Sequence, residues 1–320
     1  MELITNFVIW NLYEPLYIIH EMKTLLKMLL PLLGGCCAVA AMAQQVTVVE
    51  QTRLTKGVGE AYYPKLSPDA TKLLFTDADA HGLQMLDLTT SEATTLSDES
   101  GAGFDARWAD DGQVCFVTAK RADDRLIYRT PMRYDLASHR AEALLEPQHG
   151  TVQPVVGDKG AAFVGARKSQ GRVRDTGTSV YTQGSQLMIT RNGVTTAYSP
   201  VESYAGYLWA CLSPSGDKVA FVAAESGVFV TDLEGRVLAS LGHYEMPSWL
   251  DNDYLVVQNA TDDGHQFTSS QILLLKADGT FSHALTAPTS MTMQPTAAAG
   301  TIVYTTIDGH LTMMKIQITQ

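Results

Sequence analysis

From residue 45 onward, short runs of alternating apolar and polar residues are bounded by Gly, Asp, Asn or Ser-Pro, a pattern that predicts β-strands joined by tight turns. One arrangement recurs six times: a small residue or proline, an apolar residue two positions later, a polar turn, then an apolar strand. The starts are Pro64 and Leu66, Ala106 and Trp108, Pro154 and Val156, Ala210 and Leu212, Pro247 and Trp249, and Pro295 and Ala297. Intervals between the second members are 42, 48, 56, 37 and 48 residues, the size of a unit of four short strands. No amphipathic helix of normal length is predicted beyond residue 43.

A single unit of this kind buries too little apolar surface to stand alone, so each sheet must pack face to face on its neighbours. Six units arranged radially close a ring and leave few exposed edges. The expected fold is therefore all-β: a six-bladed β-propeller of four-stranded antiparallel blades over residues 44–320, with blades starting near 62, 104, 152, 207, 246 and 293. The sixth unit supplies only three strands. The orphan segment "QVTVVEQTRLT", residues 45–55, is expected to add the fourth and close the ring.

Two stretches, "YYPKLSPDATKLLFTDADAHGLQMLDL" and "ACLSPSGDKVAFVAAESGVFVTDLEG", resemble the repeat of TolB-like six-bladed propellers. That repeat runs Pro-x-Trp-Ser-Pro-Asp-Gly, an apolar strand, a Gly turn, then a strand ending in Asp, which Asp87 and Asp232 match. Unit three departs, with "VVGDKGAAFV" in place of Ser-Pro-Asp-Gly, and unit six is weaker still. A similar repeat forms the propeller domain of prolyl oligopeptidase family enzymes, whose nucleophile sits in a separate domain on a Gly-x-Ser-x-Gly elbow. This chain carries no such elbow.

Residues 1–21 carry no recognisable pattern and are taken as an upstream extension outside the fold. Residues 22–43 have the order of a secretory signal peptide: Lys23 and Lys27, an apolar run from Met28 to Val39, then Ala41-Met42-Ala43 for cleavage near Ala43. The apolar run is shorter than the roughly 20 residues a bilayer span needs, so the mature chain is expected to be periplasmic or secreted, without a transmembrane span. Leu33 three residues ahead of Cys36 leaves lipid anchoring at Cys36 as the alternative. The whole chain has 34 acids against 23 bases. Such a surface repels phosphate backbones and argues against nucleic acid as a partner. Cys115 and Cys211 sit in apolar strand patterns and are expected to be buried thiols, not a bridge or a metal site.

Candidate chemistry is sparse. Asp77, Asp79, His81 and Gly82 share the alternation of a calcium loop, but Leu88 stands where the bidentate acid should be, and the histidines show no ligand spacing. No metal and no cofactor are expected. Basic residues gather in an otherwise acidic chain at Arg121, Arg125, Arg129 and Arg133, and at Arg167, Lys168, Arg172 and Arg174. The last four are candidates for gripping an acidic partner, Arg being suited to paired hydrogen bonds; edge-strand charges that discourage aggregation are the plainer account. Tyr63, Phe104, Tyr207, Trp209 and Tyr244 open the innermost strands, where a propeller's channel mouth lies, and amphipathic rings there suit peptide contact.

By analogy of fold the chain is expected to be a non-catalytic binding or assembly module of a bacterial envelope with a protein or peptide partner. The alternatives are a carbohydrate-active hydrolase or lyase working through Asp77, Asp79, Asp262 and Asp263, or the detached propeller of a peptidase.

Overall fold

The computed structural model describes residues 44–54, 58–109, 112–157, 160–165 and 177–319. The expected leader and the cluster Arg167, Lys168, Arg172 and Arg174 lie outside them. Among the described residues every regular element but one short turn of 3-10 helix is a strand, and the strands form six sheets. In chain order, β1 is Gln45–Arg53. Blade 1 follows with β2 (Tyr62–Leu66), β3 (Lys72–Thr76), β4 (His81–Asp87) and β5 (Glu92–Ser100). Blade 2 comprises β6 (Arg107–Ala109), β7 (Gln113–Arg121), β8 (Ile127–Asp135), β9 (Arg140–Ala143) and β10 (Gln148–His149). Blade 3 has β11 (Gln153–Gly157), β12 (Gly160–Val164), β13 (Ser179–Gln183), β14 (Gln186–Arg191) and β15 (Val194–Ala197). Blade 4 runs β16 (Tyr207–Leu212), β17 (Lys218–Ala223), β18 (Gly227–Asp232) and β19 (Val237–Gly242), and blade 5 runs β20 (Glu245–Trp249), β21 (Tyr254–Asp262), β22 (Phe267–Lys276) and β23 (Ser282–Ala284). Blade 6 is β24 (Thr292–Ala298), β25 (Thr301–Thr306) and β26 (Thr312–Thr319), completed by β1 in the order β1-β26-β25-β24. The orphan strand therefore closes the ring as its sequence implied.

Six seams join the blades in a circle. β2 packs on β24, β24 on β20, β20 on β16, β16 on β13, β11 on β6 and β7, and β7 on β5. The repeated Ser-Pro turn has a direct physical purpose. Ser67 Oγ accepts the Lys72 amide at 2.9 Å and donates to Asp69 Oδ1 at 2.6 Å. Ser213 Oγ likewise accepts the Lys218 amide at 3.0 Å and donates to Asp217 Oδ1 at 3.0 Å. Each serine thus satisfies the backbone where β2 turns into β3 and β16 into β17. The late Asp does the same at the next turn: Asp87 Oδ1 accepts the amides of Thr89 and Thr90, and Asp232 Oδ1 those of Glu234 and Arg236.

Two blades depart from four plain strands. In blade 2 the outer strand is split, β9 pairing one end of β8 and β10 the other. In blade 3 the hairpin β11–β12 joins β13 through a single register pair, Gly157 with Ser179. The strand β13 had no counterpart in the sequence reading, and it falls in the unit that lacks Ser-Pro-Asp-Gly. Buried apolar clusters bridge blades 1 and 2, 3 and 4, 4 and 5, 5 and 6, and 6 and 1. Among the described residues none bridges blades 2 and 3. Local opening follows low apolar contact, so amide hydrogen exchange is expected to be fastest, within the strands, in β11 and β12; equal protection there and in β17 would contradict this account.

Candidate functional site

Five inner strands begin with the same distortion. The residue just before the repeat's small residue or proline is left-handed: Tyr63 (φ 52°), Asp105 (57°), Trp209 (50°), Met246 (51°) and Gln294 (53°). In blades 1, 4, 5 and 6 the strand register slips at that point, between Tyr62 and Lys65, Leu208 and Cys211, Glu245 and Ser248, and Met293 and Thr296. These are β-bulges, which bend a strand and re-aim a side chain. A bulky residue at positive φ is uncommon and costs on the order of 1–3 kcal/mol, so five copies at one position mark a built feature. Blade 3, again, lacks it.

The bulges lie where the inner strands start, at the channel mouth. A polar relay ties three blades there: the Tyr63 amide donates to Gln294 Oε1 at 2.7 Å, the Gln294 amide to Gln258 Oε1 at 2.8 Å, and Gln258 Nε2 to Glu245 Oε2 at 3.1 Å. Burial, then the charge of Asp262, raises the Glu245 carboxyl above the usual carboxylate range. Exposed rings lie in or just before the inner strands of blades 1, 2 and 4. Tyr63 is 42% exposed, Trp209 40%, Phe104 72% and Tyr204 87%. Tyr207, by contrast, is buried edge-to-face on Phe221 with centroids 5.6 Å apart, and its hydroxyl donates to the Val201 carbonyl. Tyr244 is half-buried beside the Val222 and Val228 cluster.

One layer deeper, the residue between the repeat's two marker positions is Lys65, Arg107, Val155, Cys211, Ser248 or Thr296. In blades 4 to 6 this side chain rivets its inner strand to the next: Cys211 Sγ donates to the Pro247 carbonyl at 3.5 Å, Ser248 Oγ accepts the Ala297 amide at 3.0 Å, and Thr296 Oγ1 accepts the Leu66 amide at 3.1 Å. Blades 1 and 2 carry long cations at that position. There the rivet comes from Trp108 Nε1, which donates to the Lys65 carbonyl at 2.8 Å. Burial, then Arg107, pulls the Lys65 amine down to about 8, Asp105 and Cys211 pulling the other way. Burial pushes the Cys211 thiol up to about 12 against the pull of Arg107 and Lys65. Lys65 and Cys211 are both half-buried, the burial expected of inner-strand side chains that line a propeller's central channel.

The acidic candidates are committed elsewhere. Asp77 Oδ1 accepts the amides of Asp79 and His81, Asp262 Oδ1 that of Gly264, and Asp263 Oδ1 those of His265 and Gln266. Each shapes its own turn. The outer basic residues are similarly engaged, Arg129 with the Gly150 carbonyl and Arg133 with Glu142. Among the described residues no group of three His, Cys, Asp or Glu could hold a metal. A separate pocket of about 380 Å³ between blades 5 and 6 is walled by Gln51, Thr286, Thr292, Tyr304 and neighbours. Its polar groups already pair with one another, Gln51 Nε2 with the Tyr304 hydroxyl and Thr286 Oγ1 with Thr292 Oγ1.

Together these features define a six-bladed β-propeller whose inner strands repeat a left-handed residue at one position. The chain matches no protein-family model and no curated protein by sequence. Solved structures do share its fold. Oligogalacturonate lyase from Vibrio parahaemolyticus is similar with a TM-score of 0.53 at 14% identity, over 85% of this chain and 96% of its own. Acylaminoacyl peptidase from Pyrococcus horikoshii gives 0.51 at 14% identity, over 80% and 50%. TolB from Acinetobacter baumannii gives 0.48 at 17% identity, over 69% and 53%. This chain thus spans about half of the TolB and peptidase chains and nearly all of the lyase.

Proposed function

We propose that the protein is a non-catalytic binding module, exported to a bacterial cell envelope, that takes a protein or peptide segment at the mouth of its propeller. The observation that carries this reading is the left-handed residue repeated in five inner strands, four of them bulged there. It keeps large side chains at the rim at a cost in backbone strain, and it holds Tyr63 and Trp209 half in water, where rigid amphipathic rings bind at little entropic cost. The commitment of Asp77, Asp262 and Asp263 to their own turns speaks against the hydrolase or lyase alternative. Export rests on the leader pattern alone, and among the described residues no helix is long and apolar enough to cross a membrane.

Glycine is the residue a left-handed position tolerates best, so Tyr63→Gly and Trp209→Gly remove the rings without harming the fold. Peptides selected on the wild-type chain from a displayed library are expected to lose at least tenfold in affinity for the double variant while its Tm stays within a few degrees. Unchanged binding, or turnover of a pectic or peptide substrate that vanishes on Asp262→Asn, would overturn the reading.

A further inference from the structure

We propose that the layer beneath the mouth is an oxyanion site, in which Lys65 and Arg107 receive a carboxylate of the bound peptide. The inference rests on the mouth reading and adds the chemistry of the ligand. Lys65, Arg107 and Cys211 hold the same position on the inner strands of blades 1, 2 and 4, where each is half-buried, and their charges act on one another.

With the buried Val155 of blade 3, the two cations are also the exceptions in a structural series. Cys211, Ser248 and Thr296 spend the same position on holding neighbouring strands together. Among the described residues the ends of Lys65 and Arg107 make no such bond; the blade 1–blade 2 seam is held by Trp108 Nε1 on the Lys65 carbonyl, as Trp249 Nε1 also holds the Cys211 carbonyl at 3.3 Å between blades 4 and 5. Arg107 is partly engaged by Asp105, but a guanidinium has five N–H groups and the single contact leaves a face available. Among the described residues the Lys65 ammonium makes no ion pair. A half-buried ammonium that shares the Asp105 carboxylate with Arg107 still carries a desolvation cost, and a carboxylate arriving down the channel would relieve it. In a chain whose net charge is -11, a cationic throat walled by protein concentrates field lines on an incoming anion.

The test uses two capped peptides of equal length, one rich in Glu and one with Gln at the same places, alongside succinate and inorganic phosphate, titrated calorimetrically. Wild type is expected to bind the Glu peptide at least tenfold more tightly than the Gln peptide, about 1.4 kcal/mol. Lys65→Met should abolish that preference and Lys65→Arg should keep it, whereas Tyr63→Gly with Trp209→Gly should weaken both peptides alike. Equal affinity of the two peptides for wild type, or a preference surviving Lys65→Met, would overturn the site. Phosphate binding as tightly as the Glu peptide would overturn the assignment to a carboxylate. If neither peptide binds, the mouth reading fails on its own, and succinate still decides the channel: binding lost in Lys65→Met upholds the site, and no binding refutes it.

Discussion

Removing residues 44–53 is expected to lower the Tm by more than about 10 °C and to make the chain aggregate. β1 is the outer strand of blade 6, and its side chains alone make it look dispensable, since Val48 and Val49 are 41% and 56% exposed. The backbone and the ends say otherwise. Beyond its pairing with β26, Gln51 reaches the Tyr304 hydroxyl at 2.9 Å, Glu50 pairs with Lys315 at 2.8 Å, and Val46 packs on the cluster that holds Ile316 and Ile318. A ladder of hydrogen bonds at about 1 kcal/mol each amounts to a large part of the roughly 5–15 kcal/mol that holds a domain folded. At about 2–4 °C per kcal/mol for a chain of this size, the shift is large. Its loss would also leave β26 as an open edge bearing Ile316 and Ile318, a template for intermolecular pairing. Differential scanning calorimetry with light scattering would read both effects, and an unchanged Tm would refute closure by β1.

Lys65→Met is expected to stabilise the protein at neutral pH by up to about 3 kcal/mol, with the gain disappearing in strong alkali. A lysine amine ordinarily titrates near 10.5, and folding lowers that of Lys65 to about 8. Between those two values the unfolded chain binds the proton and the folded chain does not, so stability rises with pH across that window. Below about 8 both states are charged and the folded state carries the full penalty, at about 1.4 kcal/mol per unit of displacement. Above 10.5 both are neutral and the penalty is gone. Arg107, Asp105 and Cys211 are the charged and titratable groups that act on Lys65. Of these the thiol at about 12 stays protonated throughout the window. Denaturant melts of wild type and Lys65→Met at pH 7 and pH 11 would show the difference converge; a constant difference would mean that methionine gains by packing instead.

The ring was legible because its repeat is written in residues whose physical role is local. Ser67 and Ser213 close a turn within their own hairpin, Asp87 and Asp232 the next one, and the alternation between them can only be a strand. Even the circular closure could be read, since a unit short of one strand and a strand short of a unit imply each other. What the sequence did not disclose is whatever depends on the ring having closed. The bulge residue is Tyr, Asp, Trp, Met or Gln, so no glycine announces the left-handed backbone; only comparing the six units by position reveals it. Lys65 and Arg107 look like ordinary polar positions in short strands until the ring lets their charges act on one another and on Cys211. Tyr207 was counted with the mouth because it opens a strand, but that strand's bulge lies two residues on, and before it the side chain still follows the pleat onto Phe221. Strand β13 escaped because the unit that contains it has lost the turn signals that frame the others.

Closure by β1 also sets the order of events as the chain is made. Every other strand finds its sheet partners within its own blade, but Gln51 meets Tyr304 across 253 residues of sequence. Contacts of such separation form late, so β1 waits unpaired until β26 has been synthesised. A naked strand held that long is an aggregation hazard. Glu50, Gln51 and Arg53 at its far end act as gatekeepers, polar residues that deny stray β-partners a continuous apolar edge while still admitting Tyr304 and Lys315 when blade 6 arrives.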